Sequence, residues 1–124
     1  MSVKPITCSV SEEFVARFDG FIDCEIKSIN MPTPTSCEIT CNAQDTQRGF
    51  DWIGLKLTCS EISDAKLLDN SELSYLDMSD GISILYEDNN VILSVGKYKS
   101  FSNAKDAKVY IVANSIKYKE TMFH

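Results

Sequence analysis

The stretch ISILYEDNNVILSVG, residues 82–96, decides the fold. Ile82, Ile84 and Tyr86 share one parity, the turn-forming run EDNN (87–90) follows, and Val91, Leu93 and Val95 resume the alternation. A period of two on either side of a cluster of Asp and Asn is the pattern of an antiparallel hairpin with one buried face. The same period recurs upstream. Cys37, Ile39, Cys41 and Ala43 alternate, as do Ile53, Leu55, Leu57 and Cys59, with the polar run NAQDTQRG (42–49) as their connection. These two segments are expected to pair as antiparallel strands.

Toward the N-terminus the period changes. Ser9 with Glu12 three residues later makes a capping-box pattern, and Phe14, Val15 and Phe18 follow at helical spacing, so a short helix is expected to end near Gly20. Ile22, Cys24 and Ile26 then alternate with Asp23, Glu25 and Lys27, which predicts a half-buried strand. Ile29 and Met31 fall on the opposite parity. A bulge near Ser28 followed by a loop through the proline-bearing run MPTPT (31–35) accounts for the change. The segment SDAKLLDNSELSYLDMSDG (63–81) keeps no sustained period and reads as a short strand near Lys66 followed by irregular chain. NAKDAKVYIVANSIKYKE (103–120) can form a strand through Val109, Ile111 and Ala113 or a helix through Ala104, Ala107 and Ile111; the cluster VYIV and the alternation of Ile116 and Tyr118 with lysines favour the strand. The fold expected is mainly β, of the α+β class: one domain over residues 1–124, an antiparallel sheet curled into a barrel or sandwich with one short N-terminal helix.

Composition bounds the function. With 124 residues, 44% hydrophobic and 24% charged, the chain is that of an ordinary globular domain. Its net charge of -6 disfavours nucleic acid as a partner, because phosphate binding relies on Lys and Arg to displace counterions. The charge is uneven: residues 1–60 sum to -3, residues 61–88 to -7 and residues 89–124 to +4. The opening MSVKPITCSVSEEF lacks the apolar core of a secretory signal, and no run approaches the length of a membrane span, so a cytoplasmic protein without a membrane partner is expected. Five cysteines then read as reduced thiols.

Catalytic chemistry finds little purchase. His124 is the sole histidine and stands at the end of the chain, which removes histidine-based nucleophile activation and a His-rich metal site. Cys37 and Cys41 share a strand face but have no further ligands nearby in sequence, and Cys24, Cys37, Cys41 and Cys59 all sit on apolar parities as core residues. Cys8 is the one thiol left open. The pairs Asp23 with Glu25 and Glu87 with Asp88 occupy solvent parities or a turn, and the five glycines are dispersed, so no phosphate loop exists. No enzyme activity, cofactor or metal is expected.

What stands out is acidity. Between Glu61 and Asp88 eight acidic side chains face one lysine, Lys66, with Tyr75, Leu76, Met78 and Tyr86 interleaved. Acids with aromatic anchors make an interface for a basic partner, and Glu72, Tyr75, Asp77, Asp80, Tyr86, Glu87 and Asp88 are its candidate contacts. A solvated acidic loop is the plain alternative. Trp52 falls on the polar parity of its strand, so it is expected at the surface or over a sheet edge.

FDGFIDCEIKSI (18–29) resembles the opening of small bacterial immunity proteins, where a short helix leads into an alternating strand. GLKLTCSEISDAKLLDN (54–70) resembles their amphipathic strand ending in an acidic turn, and ISILYEDNNVILSVG looks like their hairpin. The resemblance spans about residues 18–118. It implies a cytoplasmic antitoxin that neutralises one cognate toxin domain of a contact-dependent inhibition or polymorphic toxin system. A nuclease-type toxin, with a basic cleft for nucleic acid, would suit the acidic stretch. The competing reading is a small-ligand or regulatory β-domain with a pocket lined by Phe50, Trp52 and nearby tyrosines. Oligomeric state is left open by the sequence.

Overall fold

The expected hairpin forms over β6 (Ile82–Glu87) and β7 (Asn90–Val95), with the register running unbroken from Ile82 opposite Val95 to Glu87 opposite Asn90. Asp88 in the turn takes a left-handed backbone (φ 55), a conformation Asp adopts more readily than most residues. The computed structural model describes residues 3–123, so the terminal His124 lies outside the described residues.

The second expected pair also forms. β3 (Ser36–Asp45) lies antiparallel to β4 (Asp51–Ser60) through ten register pairs, and Cys37, Ile39, Cys41 and Ala43 face inward with Ile53, Leu55, Leu57 and Cys59. Two sheets result. The first orders its strands β1 (Lys4–Pro5), β9 (Ser115–Thr121), β4, β3 and β2 (Glu25–Thr33); the second runs β5 (Asp64–Lys66), β8 (Tyr110–Ala113), β7 and β6. Every pairing is antiparallel. The sheets enclose one core and remain separate, so of the two expected architectures the chain adopts the sandwich and not the closed barrel.

β7 is buried on both faces. Val91, Leu93 and Val95 enter the main core, while Ile92 and Ser94 lie under α2 (Phe101–Ala104), where the Ser94 hydroxyl donates to the Ala104 carbonyl (3.1 Å). This helical turn is an addition to the one helix expected. The strand reading of the C-terminal segment holds from Tyr110 onward, because the β-branched cluster pairs with β7 on one side and β5 on the other.

Helix α1 (Ser11–Arg17) starts later than the capping-box pattern predicts. The Ser9 hydroxyl pairs with Thr7 (3.1 Å), and the Thr7 carbonyl accepts the amides of Val10 and Ser11, so Ser9 caps nothing. After α1 the chain bends through left-handed residues at Asp19, Gly20, Phe21 and Asp23, and β2 begins only at Glu25. The strand start expected at Ile22 is corrected by this bend, which buries Phe21 completely and leaves Ile22 exposed. Phe14, Phe18 and Phe21 stack with centroids 5.2 to 5.8 Å apart and fasten α1 to the core, each such pair adding on the order of 1 kcal/mol beyond area burial.

The bulge near Ser28 is present as a register shift between Ile26 and Ser28. The following run MPTPT was expected as loop, yet β2 continues to Thr33 and pairs it with Ser36. An edge strand permits this, since the missing amide of Pro32 leaves only an outer position unfilled. No helix of the described residues is long and apolar enough to cross a membrane.

Candidate functional site

The acidic segment folds into two places. After β5 the chain makes a 3-10 turn over Asn70–Tyr75, pinned because Leu73 is buried and because the Asn70 side chain accepts the Ile29 amide (2.9 Å). Pinning one face of a short turn turns the other outward. Glu72 is exposed and Tyr75 stands 87% exposed, the most accessible large apolar side chain among the described residues. Asp77 and Asp80 continue this surface; Asp77 accepts the Ser79 amide (2.9 Å), and bonds to Ser79 together with the charge of Lys108 hold its carboxyl below the usual range. Glu72, Tyr75, Asp77 and Asp80 thus point outward from one segment whose Leu73, Leu76 and Met78 turn toward the core.

Glu87 and Asp88 do not join them. They occupy the tip of the β6–β7 hairpin, at the far end of a six-residue strand that spans about 20 Å at ~3.3 Å per residue. Tyr86, expected among the surface anchors, turns inward on the parity of Ile82 and Ile84. Its hydroxyl donates to the Ile6 carbonyl, and burial pushes it up to about 12. It fastens the N-terminal segment to β6. Asp64, elsewhere in the acidic segment, accepts from the Tyr110 hydroxyl (3.1 Å) and lies 3.9 Å from Lys105, so part of the charge is answered within the chain.

Between the two acidic places runs a cleft of about 660 Å³, walled by β6 on one side and α1 on the other. Glu12, Asp19 and Asp80 line it against a single cation, Lys97. Sequence reasoning missed Glu12 and Asp19 as members of this surface, because they lie far upstream of the acidic segment and only tertiary packing brings α1 beside β6. Cys8 sits at the junction of this cleft with a neighbouring one of about 430 Å³, and Tyr86 lines both. The lysines of β9 take a different face. Lys117 and Lys119 alternate away from the buried Ile116 on β9, and Lys119 stands directly opposite Lys56 on the outer side of the five-stranded sheet.

A second polar cluster also escaped the sequence reading. The parity that buries Cys41 and Ala43 carries Asp45 inward to full burial. Arg17 meets it with two parallel hydrogen bonds (3.1 and 2.8 Å), the Gln47 amide adds a third (3.0 Å), and Arg48 and Glu120 extend the network across β9. The Arg17 hydrogen bonds hold the Asp45 carboxyl below its usual range. Two arginines against two carboxylates make a balanced structural cluster, and its signal in sequence was the inward parity of Asp45.

Phe50 and Trp52 are exposed at the β3–β4 turn, with Trp52 edge-on to Phe123 at 6.4 Å. They lie outside both clefts. The four strand and near-strand cysteines are buried as expected, and burial raises their thiols, Cys37 to about 11 and Cys41 and Cys59 to about 12, with Cys24 raised further. Cys8 alone is exposed. A thiol-reactive disulfide reagent at pH 8 should therefore modify one cysteine per native chain and all five after denaturation; rapid modification of two or more in the native protein would contradict the burial. Among the described residues, no three His, Cys, Asp or Glu side chains group as metal ligands.

No protein-family model, no curated protein and no solved structure matches this chain at a significant level.

Proposed function

We propose that this protein is an immunity protein, acting in the cytoplasm, that binds and neutralises a cognate toxin domain with a basic, nuclease-type surface. The observation that carries this reading is the segment from Glu72 to Asp80, where three exposed carboxylates lie within five residues of a tyrosine that is itself 87% exposed. An aromatic ring costs little conformational entropy to order and fills a pocket well, so an exposed tyrosine among acidic neighbours in sequence suits a binding anchor. The acids act at longer range. They raise the rate of encounter with a cationic surface and disfavour nucleic acid as a competitor. Binding, with no chemical step by this chain, is the whole of the activity proposed.

The test is capture of the tagged protein's partner from its native host at low and high salt, followed by expression of the identified partner alone and together with this protein. A single basic protein, lost at high salt, whose expression arrests growth unless this protein accompanies it, is the expected result. A captured partner that is harmless on its own overturns the antitoxin reading. With that partner in hand, reversing Asp77 and Asp80 to lysine should slow association by about tenfold at low salt and flatten its salt dependence, with dissociation and Tm nearly unchanged. An association rate equal to that of the unaltered protein across salt concentrations would count against charge steering by this surface.

A further inference from the structure

Four strands border the two sheets: β1 and β2 the larger, β5 and β6 the smaller. A border strand exposes unpaired N–H and C=O groups, and folded proteins blunt it with short length, proline, a bulge or a covering element. Three of the four are blunted here. β1 is two residues long and includes Pro5; β5 is three residues long; β2 has a bulge and Pro32, and Asn70 covers its Ile29 amide. β6 is neither short nor broken by a proline or bulge, and α1, which packs beside it, leaves an open cleft along its edge. Its sequence ISILYE has neither proline nor lysine, and its pairing with β7 is unbroken over six residues.

The direction of its free groups follows from the register. Glu87 and Asn90 flank a two-residue turn and so form a hydrogen-bonded pair, which makes Leu85 with Ile92 and Ser83 with Ser94 hydrogen-bonded pairs as well. The Gly96 amide bonded to the Gly81 carbonyl (2.8 Å) continues the same phase. The N–H and C=O groups of Ile82, Ile84 and Tyr86 consequently point away from β7, and among the described residues no hydrogen bond reaches them. The cleft walled by α1 runs along this edge, lined by β6 from Ile82 to Tyr86.

We infer that β6 is a docking edge: an extended segment of a partner protein, with lysine or arginine at alternate positions, lies between β6 and α1, extends the four-stranded sheet through Ile82, Ile84 and Tyr86, and sets its cations against Glu12, Asp19 and Asp80. The main-chain ladder supplies affinity without regard to sequence, and the side chains that alternate toward the acidic wall supply selectivity. This rests on the reading that the protein acts by binding a protein partner, and it specifies the part of the partner that enters.

The probe is a ten-residue peptide of alternating lysine and valine, added to the full chain, with amide hydrogen exchange followed residue by residue by NMR. The free protein should exchange the amides of Ile82, Ile84 and Tyr86 readily, and the peptide should slow all three by at least tenfold. A peptide of alternating glutamate and valine should leave them unchanged, and the Glu12→Lys, Asp19→Lys double variant should weaken the lysine peptide about tenfold or more. No binding of the lysine peptide, or protection confined to residues 70–80, overturns the proposal. The partner captured from the host separates the two readings. If it binds while the three β6 amides exchange as before, the docking edge fails and the binding function stands; protection by the peptide with no toxin ever captured upholds the edge and leaves the antitoxin reading to fall alone.

Discussion

Replacing Asp45 by alanine is expected to cost about 3–5 kcal/mol of stability and to lower Tm by roughly 10–20 °C. The carboxylate is fully buried and accepts two hydrogen bonds from Arg17 and one from the Gln47 amide. Truncation removes these three bonds together and leaves Arg17 and Arg48 close to each other with only Glu120 between them. It also frees α1 from the β3–β4 turn, because the bidentate pair is the charged tie between them; the Thr46 hydroxyl donating to the Arg17 carbonyl (2.8 Å) is a neutral one. Asp45→Asn, which keeps an acceptor for Gln47 and loses the charge, should cost less than the alanine variant. Equal stability of Asp45→Ala and the unaltered protein would show that the network does not hold the helix.

The same carboxylate sets a pH signature. Its folded-state pKa lies below the unfolded one, with the Arg17 hydrogen bonds as the first cause, so its contribution is complete above an unfolded carboxylate pKa of about 3.9 and is lost as pH falls through the lowered folded value. Acid unfolding of the unaltered protein should therefore contain a component below about pH 4 that Asp45→Asn lacks.

Local alternation made much of this fold legible, and long-range pairing supplied the rest. The β6–β7 hairpin and the β3–β4 pair could be read because each joins neighbouring segments through a short polar turn. The division into two sheets could not, since it depends on β9 pairing with β4 across more than fifty residues and on β8 pairing with β7, contacts that leave no local mark. Helix α1 was placed one residue early because the Ser9 hydroxyl had a competing partner in Thr7. The candidate surface illustrates a different failure. Seven residues close in sequence were read as one patch, yet β6 separates Asp80 from Glu87 by its full length, and Tyr86 lies on the parity that already marked Ile82 and Ile84 as core. The alternation that revealed the hairpin was enough to place that tyrosine inside. For Glu12 and Asp19 there was no such cue, because the cleft they line exists only once α1 packs beside β6.

What holds that cleft in shape leads to the second large effect. Gly81→Ala is expected to cost about 3 kcal/mol and to lower Tm by about 10 °C, from steric overlap added to backbone strain. Gly81 precedes β6 with φ +77, and a Cβ there would overlap the Gly20 carbonyl oxygen and stand 2.9 Å from the Gly20 carbonyl carbon and 3.0 Å from the Ile22 amide nitrogen. These are backbone atoms of the bend after α1, so no side-chain rotation can relieve the clash. Gly49 separates the two causes. It has a similar φ of +65 but nothing within 4 Å of an added Cβ, so Gly49→Ala should cost only about 1 kcal/mol, the strain alone. The difference between the two variants measures how closely the α1 bend is pressed against the start of β6. If Gly81→Ala is no worse than Gly49→Ala, the bend yields easily, and the wall of the cleft that carries Asp19 is a movable one. If the difference approaches 2 kcal/mol, the carboxylates of Asp19 and Asp80 are held at a fixed spacing before any partner arrives, and a basic strand entering along β6 meets a preformed acidic entrance.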